Sequence, residues 1–371
     1  MGTSYWAKTV TARISRRRAL AALGAGSAAA AFLAACGSNE GGGGGEEGGA
    51  SGLVAKPVDT LKEAKAGGVL KDYCTSEPSH LDAMFPLASM NFQARNVYGT
   101  LLKEEPGYLG PSESKIIGDM ANSWEFSPDH LTLTFKLRDG VKWHNKPPVN
   151  GRTATMDDIS FSLKRYEAIG ALQALIFNSV NPDAPVLSVA ATDSKTLVVK
   201  LKEPLVFIHK YFASYGSFTG NIMMYPKEAD GGFDVRNDMI GHGPWQLAEH
   251  AVSVGYKFKR NPDYYEKDHV FPAELDMPII SEHAARLAQF KTGSIHMIDL
   301  RQNAEDVLPT RNEQPKVLLY AQDFTPRTEV VTFGMEGNSP YKDERVRQAV
   351  SMALDRDTMI DAFFNVSNFE S

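Results

Sequence analysis

A run of seventeen uncharged residues, 19–35, is the feature that most constrains what this 371-residue chain can fold into. Ala and Gly dominate the run, so it is too short and too weakly apolar to remain as a membrane span. Three arginines, Arg16, Arg17 and Arg18, precede the run, and Cys36 ends it. This order is typical of an export signal that is removed from the mature protein. The sequence therefore predicts a signal peptide over residues 1–35 and a folded body outside the cytoplasm.

The residues around Cys36 indicate a lipid anchor. Leu33-Ala34-Ala35-Cys36 resembles a bacterial lipobox, in which the cysteine thiol receives a diacylglyceryl group. Two acyl chains make such an anchor stable, whereas one is marginal. The alternative is an ordinary cleavage site with a cysteine there by chance. Arg16-Arg17 with Leu20 downstream resembles the twin-arginine export signal, but Ala19 replaces the usual bulky residue, so the general secretory route stays open.

A glycine-rich segment separates this signal from the rest of the chain. Nine of the sixteen residues 37–52 are Gly, and such a segment behaves as a flexible coil with a reach of roughly 20–25 Å. We expect residues 36–66 to be a tether and order to start near Gly67. The second cysteine, Cys74, is then predicted to be a buried structural thiol rather than a reactive one.

Charge excludes one class of partner. Residues 1–35 carry five basic residues and no acids, which leaves 34 Lys and Arg against 45 Asp and Glu, a net charge of −11, for the remainder. Nucleic-acid binding needs a basic surface against phosphates, so no nucleic-acid partner is expected.

Beyond the tether, strand and helix patterns alternate, which predicts a mixed α/β fold. Residues 131–137 alternate apolar and polar side chains, as a half-buried strand does. Thr155 and Asp158 resemble a capping box at the start of a helix. Other strands are predicted over Val69–Cys74, Thr196–Leu201, Tyr256–Lys259 and Ile295–Leu300. Other helices are predicted over 91–102, with a strand-like end at Leu101-Leu102, and over His283–Lys291, 346–354 and 359–364.

Six motifs in order make the body similar to the family 5 solute-binding proteins of ABC importers, the group that includes periplasmic oligopeptide, dipeptide and nickel binders. The motifs are Gly67–Leu70 with Leu81-Asp82, Val97-Tyr98-Gly99-Thr100-Leu101, Leu131–His144, Asp157–Leu163, Gly241–Trp245 with Arg260–Tyr265, and Val346–Val350 through Ala353–Arg356. The resemblance implies a periplasmic-binding-protein-like fold of two lobes around a hinge.

The resemblance also implies a domain plan. We expect the first lobe over 67–325, with an inserted subdomain at about 99–210, and the start of a second lobe over 326–371. Because a lobe of ordinary size needs roughly 100–150 residues, the second lobe is expected to be incomplete and the chain to be C-terminally truncated. Two departures from the family pattern lie at turns: His242 replaces a small hydroxyl residue, and Asn145-Lys146 replaces Asp-Gly.

The function implied is a lipid-anchored, extracytoplasmic solute-binding component of an ABC importer. Its partners would be a peptide or other small solute, a permease with its ATPase, and the membrane through the anchor, and we expect a monomer. Ser89, Met90 and Asn91 lie where the family's first-lobe loop faces the ligand, with surface loop as the alternative. Trp245, beside a Gly-Pro turn, is a further candidate, with core packing as the alternative. Tyr98 and Trp143 are predicted to be core residues.

No catalytic or metal-binding signature stands beside these motifs. The histidines, including His242 and His283, show no metal-ligand spacing, and no nucleophile elbow, zinc-protease motif or phosphate loop occurs in the body. We therefore predict no enzyme activity, no cofactor and no metal. The alternatives that remain are an anchored hydrolase, or a sensor or chaperone module on the same fold.

Overall fold

The computed structural model describes most of the chain that follows residue 54. The residues described are 55, 57–84, 94, 96–110, 112–214, 222–300, 303–320 and 331–364. These ranges contain three sheets and six α-helices. All of them belong to one compact unit, Ala50–Ser371.

The first sheet combines one strand from near the start of the described chain with three from its middle. Its order is β1-β11-β10-β9, with β1 parallel to β11 and the other pairs antiparallel. The strands are β1 Val69–Lys71, β9 Trp245–Ala251, β10 Gly255–Arg260 and β11 Glu274–Pro278. Neighbouring Leu247, Phe258 and Leu275 bury one face, while Lys257 and Lys259 stay exposed on the other. The strand predicted over Tyr256–Lys259 is confirmed, whereas the one predicted over Val69–Cys74 ends at Lys71 and Cys74 forms only an isolated bridge with Ile279.

The second sheet, of order β4-β5-β7-β6, is antiparallel throughout. The strands are β4 Ala121–Phe126, β5 Thr132–Leu137, β6 Val186–Ala191 and β7 Thr196–Leu201. The alternation in β5 is confirmed, because Leu133 and Phe135 are fully buried whereas Lys136 is exposed. Helix α1 Met156–Ile169 packs against β6 of this sheet and against helix α2 Gln173–Ile176. The predicted capping box starts α1, where the Asp158 carboxylate accepts the backbone N–H of Thr155 at 2.8 Å.

A small third sheet is formed by strands that lie, in sequence, before and after the second sheet. Its order is β3-β2-β8, formed by β2 Leu102–Glu104, β3 Ile116–Gly118 and β8 Ala213–Ser214. The helix predicted over 91–102 lies partly outside the described residues. Ala94, Asn96 and Val97 are helical, and the chain has become β2 by Leu102.

Four helices follow the first sheet: α3 His283–Lys291, α4 Val307–Glu313, α5 Glu344–Ala353 and α6 Arg356–Phe364. The bounds of α3 are those predicted. The α5 helix begins where Asp343 accepts the N–H of Arg345. No described residue of α5 is fully buried, and Val346 and Val350 on its apolar face are half-buried.

The predicted strand over Ile295–Leu300 is wrong. His296 donates its backbone N–H to Lys71 O at 2.9 Å, and its Nδ1 accepts the N–H of Lys71. After that contact with the edge of β1, the backbone of Asp299 bonds to the Tyr73 hydroxyl instead of continuing a ladder. One pair of contacts caps the sheet edge without forming a strand.

A single apolar cluster runs through the described body. Tyr98 and Trp143 are buried in it, as predicted. Cys74 is also buried, which agrees with the expected structural role.

Candidate ligand-binding region

The predicted site residues have different outcomes in the structure. Ser89, Met90 and Asn91 lie outside the described residues, as does the predicted lipidation site Cys36. Trp245 is the first residue of β9 and is 7% exposed, packed in the apolar cluster. Its role as a ligand contact stays a prediction. The described residues that flank these positions define the candidate region.

An ion pair fixes the chain just before the predicted ligand loop. Arg165 of α1 donates two hydrogen bonds to the Asp82 carboxylate, at 3.0 and 2.5 Å. Both side chains are largely buried. Burial alone would lower the pKa of Arg165, but its bonds to Asp82 outweigh that effect and raise the pKa. The guanidinium therefore keeps its charge, and α1 holds residue 82 in place.

A tyrosine pair connects the two ends of the same loop. The Tyr225 hydroxyl accepts the N–H of Ala83 at 2.8 Å and lies 3.3 Å from Asp82 Oδ1. Its ring stacks on Tyr98, with centroids 4.3 Å apart. Burial raises the pKa of both phenols, so both rings stay neutral. Residues 82–83 and 98, on the two sides of 89–91, thus meet at Tyr225.

The turn Gly241–Trp245 is bound to segments far away in sequence. The N–H of His144 donates to Gly241 O at 2.7 Å, and its Nε2 lies 3.1 Å from Gly243 O. Gly243 in turn donates its N–H to Val97 O at 2.8 Å. A Cβ at Gly241 would lie 1.9 Å from the same carbonyl, which explains why glycine stands there. Three of the sequence motifs therefore meet at one turn.

A buried carboxylate lies beside this turn. Asp119 Oδ1 accepts the hydroxyl of Tyr265 at 2.6 Å, and Oδ2 accepts the N–H of Thr100 at 2.9 Å. His242 Nε2 lies 3.5 Å from Asp119 Oδ1. Burial alone would raise the pKa of Asp119, but its contacts with His242 and Tyr265 outweigh it and lower the pKa. The carboxylate therefore remains charged inside the fold.

Sequence reasoning placed His242 at a tolerant turn and missed this environment. The ring is 1% exposed and packs edge-on against Trp143. A Cβ at Gly99 would lie 2.6 Å from His242 Nε2, so the imidazole occupies space that Gly99 leaves. The only sequence signal was the replacement of a small residue by a large one.

Three ion pairs join the same parts of the chain. Lys142 lies 3.0 Å from Asp263, and the other two pairs are Lys146 with Asp238 and Lys103 with Glu266. In each pair the lysine precedes residue 150 and the acid lies within 238–266. These ion pairs therefore connect the part of the chain before residue 150 with residues 238–266.

The hydrogen bonds and ion pairs of this region hold distant segments of the chain together. Among them, no group of three or more His, Cys, Asp and Glu is placed to bind a metal ion. Each helix in the described part of the chain is too short or too polar to cross a bilayer.

Comparison with known proteins identifies the family. Residues 115–368 match the family described as bacterial extracellular solute-binding proteins, family 5. The chain belongs to this family. Proteins of this family bind solutes and are not enzymes.

Individual relatives agree with that assignment. The chain is 25% identical over 255 residues to the oligopeptide-binding protein OppA of Bacillus subtilis, covering 65% of this chain and 45% of OppA. The chain spans about half the length of the curated relatives it matches.

Two solved structures resemble the fold. The periplasmic binding protein DppA of Helicobacter pylori, in complex with the peptide STSA, gives a TM-score of 0.54 at 21% identity, covering 63% of this chain and 47% of DppA. NikZ of Campylobacter jejuni, in complex with Ni(L-His), gives 0.55 at 19% identity, covering 79% and 54%. Such neighbours are two-lobe periplasmic binding proteins, so the predicted fold class is confirmed.

Proposed function

We propose that the protein is the extracytoplasmic solute-binding component of an ABC importer, and that its solute is a peptide. The observation that carries this proposal is the family match over residues 115–368. The meeting of the family motifs at one turn supports it, because motif residues far apart in sequence build a single region. Several curated relatives are described as peptide-binding proteins, which favours peptides over other solutes.

The mechanism would be hinge closure. A solute between two lobes favours the closed state only by the additional contacts it makes there. The closed form would then deliver the solute to a permease and its ATPase. Ordered water in such a cleft can relay hydrogen bonds to varied side chains, so one protein can accept many peptides. The chain would act as a monomer and needs no covalent step.

Peptide binding is tested by melting the 371-residue chain with defined tripeptides, tetrapeptides and pentapeptides. A ligand at a hundred times its dissociation constant should stabilise the protein by about 2.7 kcal/mol. Mixtures of free amino acids and a nickel–histidine complex serve as comparisons. A rise in Tm with peptides alone supports the proposal. A rise with nickel–histidine alone, or with none of the ligands, contradicts it.

The ligand contacts proposed are Ser89, Met90, Asn91 and Trp245. Asn91→Ala should weaken peptide affinity about tenfold, which corresponds to the loss of about 1.4 kcal/mol, with Tm of the free protein unchanged. Trp245 is buried, so Trp245→Phe is the smaller change there. If Asn91→Ala binds peptide as tightly as the wild type does, Asn91 is not a ligand contact.

We further propose that Cys36 carries a lipid and anchors the protein to the membrane after export by the twin-arginine route. Cys36→Ser should abolish incorporation of labelled palmitate and release the protein from membranes. Cys74→Ala is the matched control, because it changes the other cysteine and leaves the lipobox intact. Labelled palmitate in Cys36→Ser, or its loss in a folded Cys74→Ala variant, contradicts the anchor. Export that continues in cells without a twin-arginine translocase contradicts the route.

A further inference from the structure

A cavity of about 610 Å³ opens between helix α1 and one end of the second sheet. Small-molecule sites commonly enclose about 300–1,000 Å³. Its lining comes from the end of β5 and the following turn, the segment 153–157 that leads into α1, and the turn 191–195 between β6 and β7. Trp245 is not part of this lining, so the cavity is separate from the proposed ligand contact on β9.

The floor of the cavity is apolar. Met120, Val141, Met156 and Ile159 form it, and each is at most 6% exposed. These side chains belong to the apolar cluster that fills the body. An aliphatic or aromatic group that entered here would move from water into contact with an apolar surface, and this transfer is favourable.

Two of the charged side chains that line the cavity form ion pairs. Lys195 lies 2.6 Å from Asp139. Asp193 accepts the backbone N–H of Lys195 at 2.7 Å. Asp157, whose side chain is largely exposed, lies 3.6 Å from Lys227. Lys195 and Asp157 are therefore paired, whereas Asp193 forms no ion pair with a described cation and keeps its negative charge.

Of the two described cations that line the cavity, Arg138 is the one without an ion pair. Its Nε donates to the carbonyl oxygen of Asp119 at 2.9 Å, and its guanidinium lies 4.5 Å from the centroid of the Tyr265 ring. No carboxylate of the described residues forms an ion pair with it. A guanidinium has five N–H donors in a planar fork that suits a carboxylate. Arg138 is therefore a positioned cation with donors to spare.

We propose that this cavity binds a small amphipathic carboxylate, with the carboxylate on Arg138 and the apolar tail between Val141 and Ile159. A free carboxylic acid and the C-terminus of a peptide with an apolar last residue share this chemistry. The inference does not depend on solute capture between lobes and goes beyond the proposed function.

Paired probes test the charge requirement. Hexanoate represents a free acid, and N-acetyl-leucine represents a peptide C-terminus; hexanamide and N-acetyl-leucinamide are their neutral forms. Titration of the ¹⁵N-labelled chain should give saturable shifts for the amides of residues 191–195 with at least one acid, and binding at least about tenfold weaker for its amide. If only one of the two acids binds, the result shows whether the ligand is a free carboxylic acid or a peptide C-terminus. Equal binding of acid and amide, or no saturation with either acid, overturns the proposal.

Two neighbouring alanines test the location. Ala191 lines the cavity, whereas Ala190 is its neighbour on β6 and points to the other face of the sheet. Ala191→Trp should abolish binding of the acid, and Ala190→Trp should leave it unchanged. Arg138→Gln should weaken binding about tenfold and Arg138→Lys less, which provides a second test if Ala191→Trp does not fold. Unchanged binding in folded Ala191→Trp or Arg138→Gln overturns the assignment. Peptide affinity measured on the same variants separates this cavity from the proposed function.

Discussion

Arg165 and Asp82 form a two-point ion pair that links helix α1 to the segment before the predicted ligand loop. The two hydrogen bonds measure 3.0 and 2.5 Å, and the Asp82 side chain is 6% exposed. Removing one partner of a buried pair leaves the other charge without compensation, which is costly. The first prediction follows from this geometry.

Arg165→Met should lower the free energy of unfolding by about 3–5 kcal/mol, because it leaves the Asp82 carboxylate buried without its cation. Lys257→Met is the matched control. Lys257 pairs with Glu249 at 2.9 Å on the exposed face of the first sheet, where solvent screening leaves such a pair little effect on stability. Urea denaturation of both variants measures the difference. Equal losses in the two variants would contradict a structural role for the buried pair.

A second prediction concerns two adjacent acids at the start of α1. Asp158 is fully buried and accepts two bonds from Arg152, at 2.8 and 2.6 Å, whereas Asp157 is exposed. Burial alone would raise the pKa of Asp158, but its bonds to Arg152 and to backbone N–H groups lower it. Asp158→Asn should therefore cost about 3–5 kcal/mol, and Asp157→Asn less than about 0.5 kcal/mol. Thermal and urea unfolding give both values, and a loss below about 1 kcal/mol for Asp158→Asn would refute the first.

The sequence predicted elements well where a single stretch carried the whole signal. The alternation of β5 and the bounds of β7 and α3 follow from local side-chain periodicity, which is set by backbone geometry. The strand predicted over Ile295–Leu300 failed because an apolar run does not supply a partner strand. His296 meets the edge of β1 at one residue only.

The candidate region was less predictable, because its contacts join segments distant in sequence. Three motifs were identified as motifs, but nothing in them showed that His144, Gly243 and Val97 would bond to one another. The burial of His242 beside Asp119 depends on the space left by Gly99. Such complementarity is a property of the folded chain rather than of any one segment.

A third prediction tests the close approach at the Gly241–Trp245 turn. A Cβ at Gly241 would lie 1.9 Å from Val97 O, a backbone atom that cannot move alone. Gly241→Ala should cost roughly 1–3 kcal/mol or more through overpacking. Gly110→Ala is the control, because no heavy atom lies within 4 Å of its added Cβ. A stability loss in Gly110→Ala as large as in Gly241→Ala would mean that backbone flexibility, not the close approach, explains the effect.

The last prediction uses His144, which holds the same turn. Burial lowers the pKa of His144 from its ordinary 6.5 to about 3. The unfolded chain therefore binds a proton at this residue below about pH 6.5, and the folded chain does so only near pH 3. Stability from the neutral ring is complete above about pH 6.5 and is lost as pH falls toward 3, by up to about 1.4 kcal/mol per pH unit. His144→Asn removes the titrating group and keeps a polar side chain. Urea unfolding at several pH values from 7 to 4 should show a smaller slope in the variant, and parallel slopes would contradict the assignment.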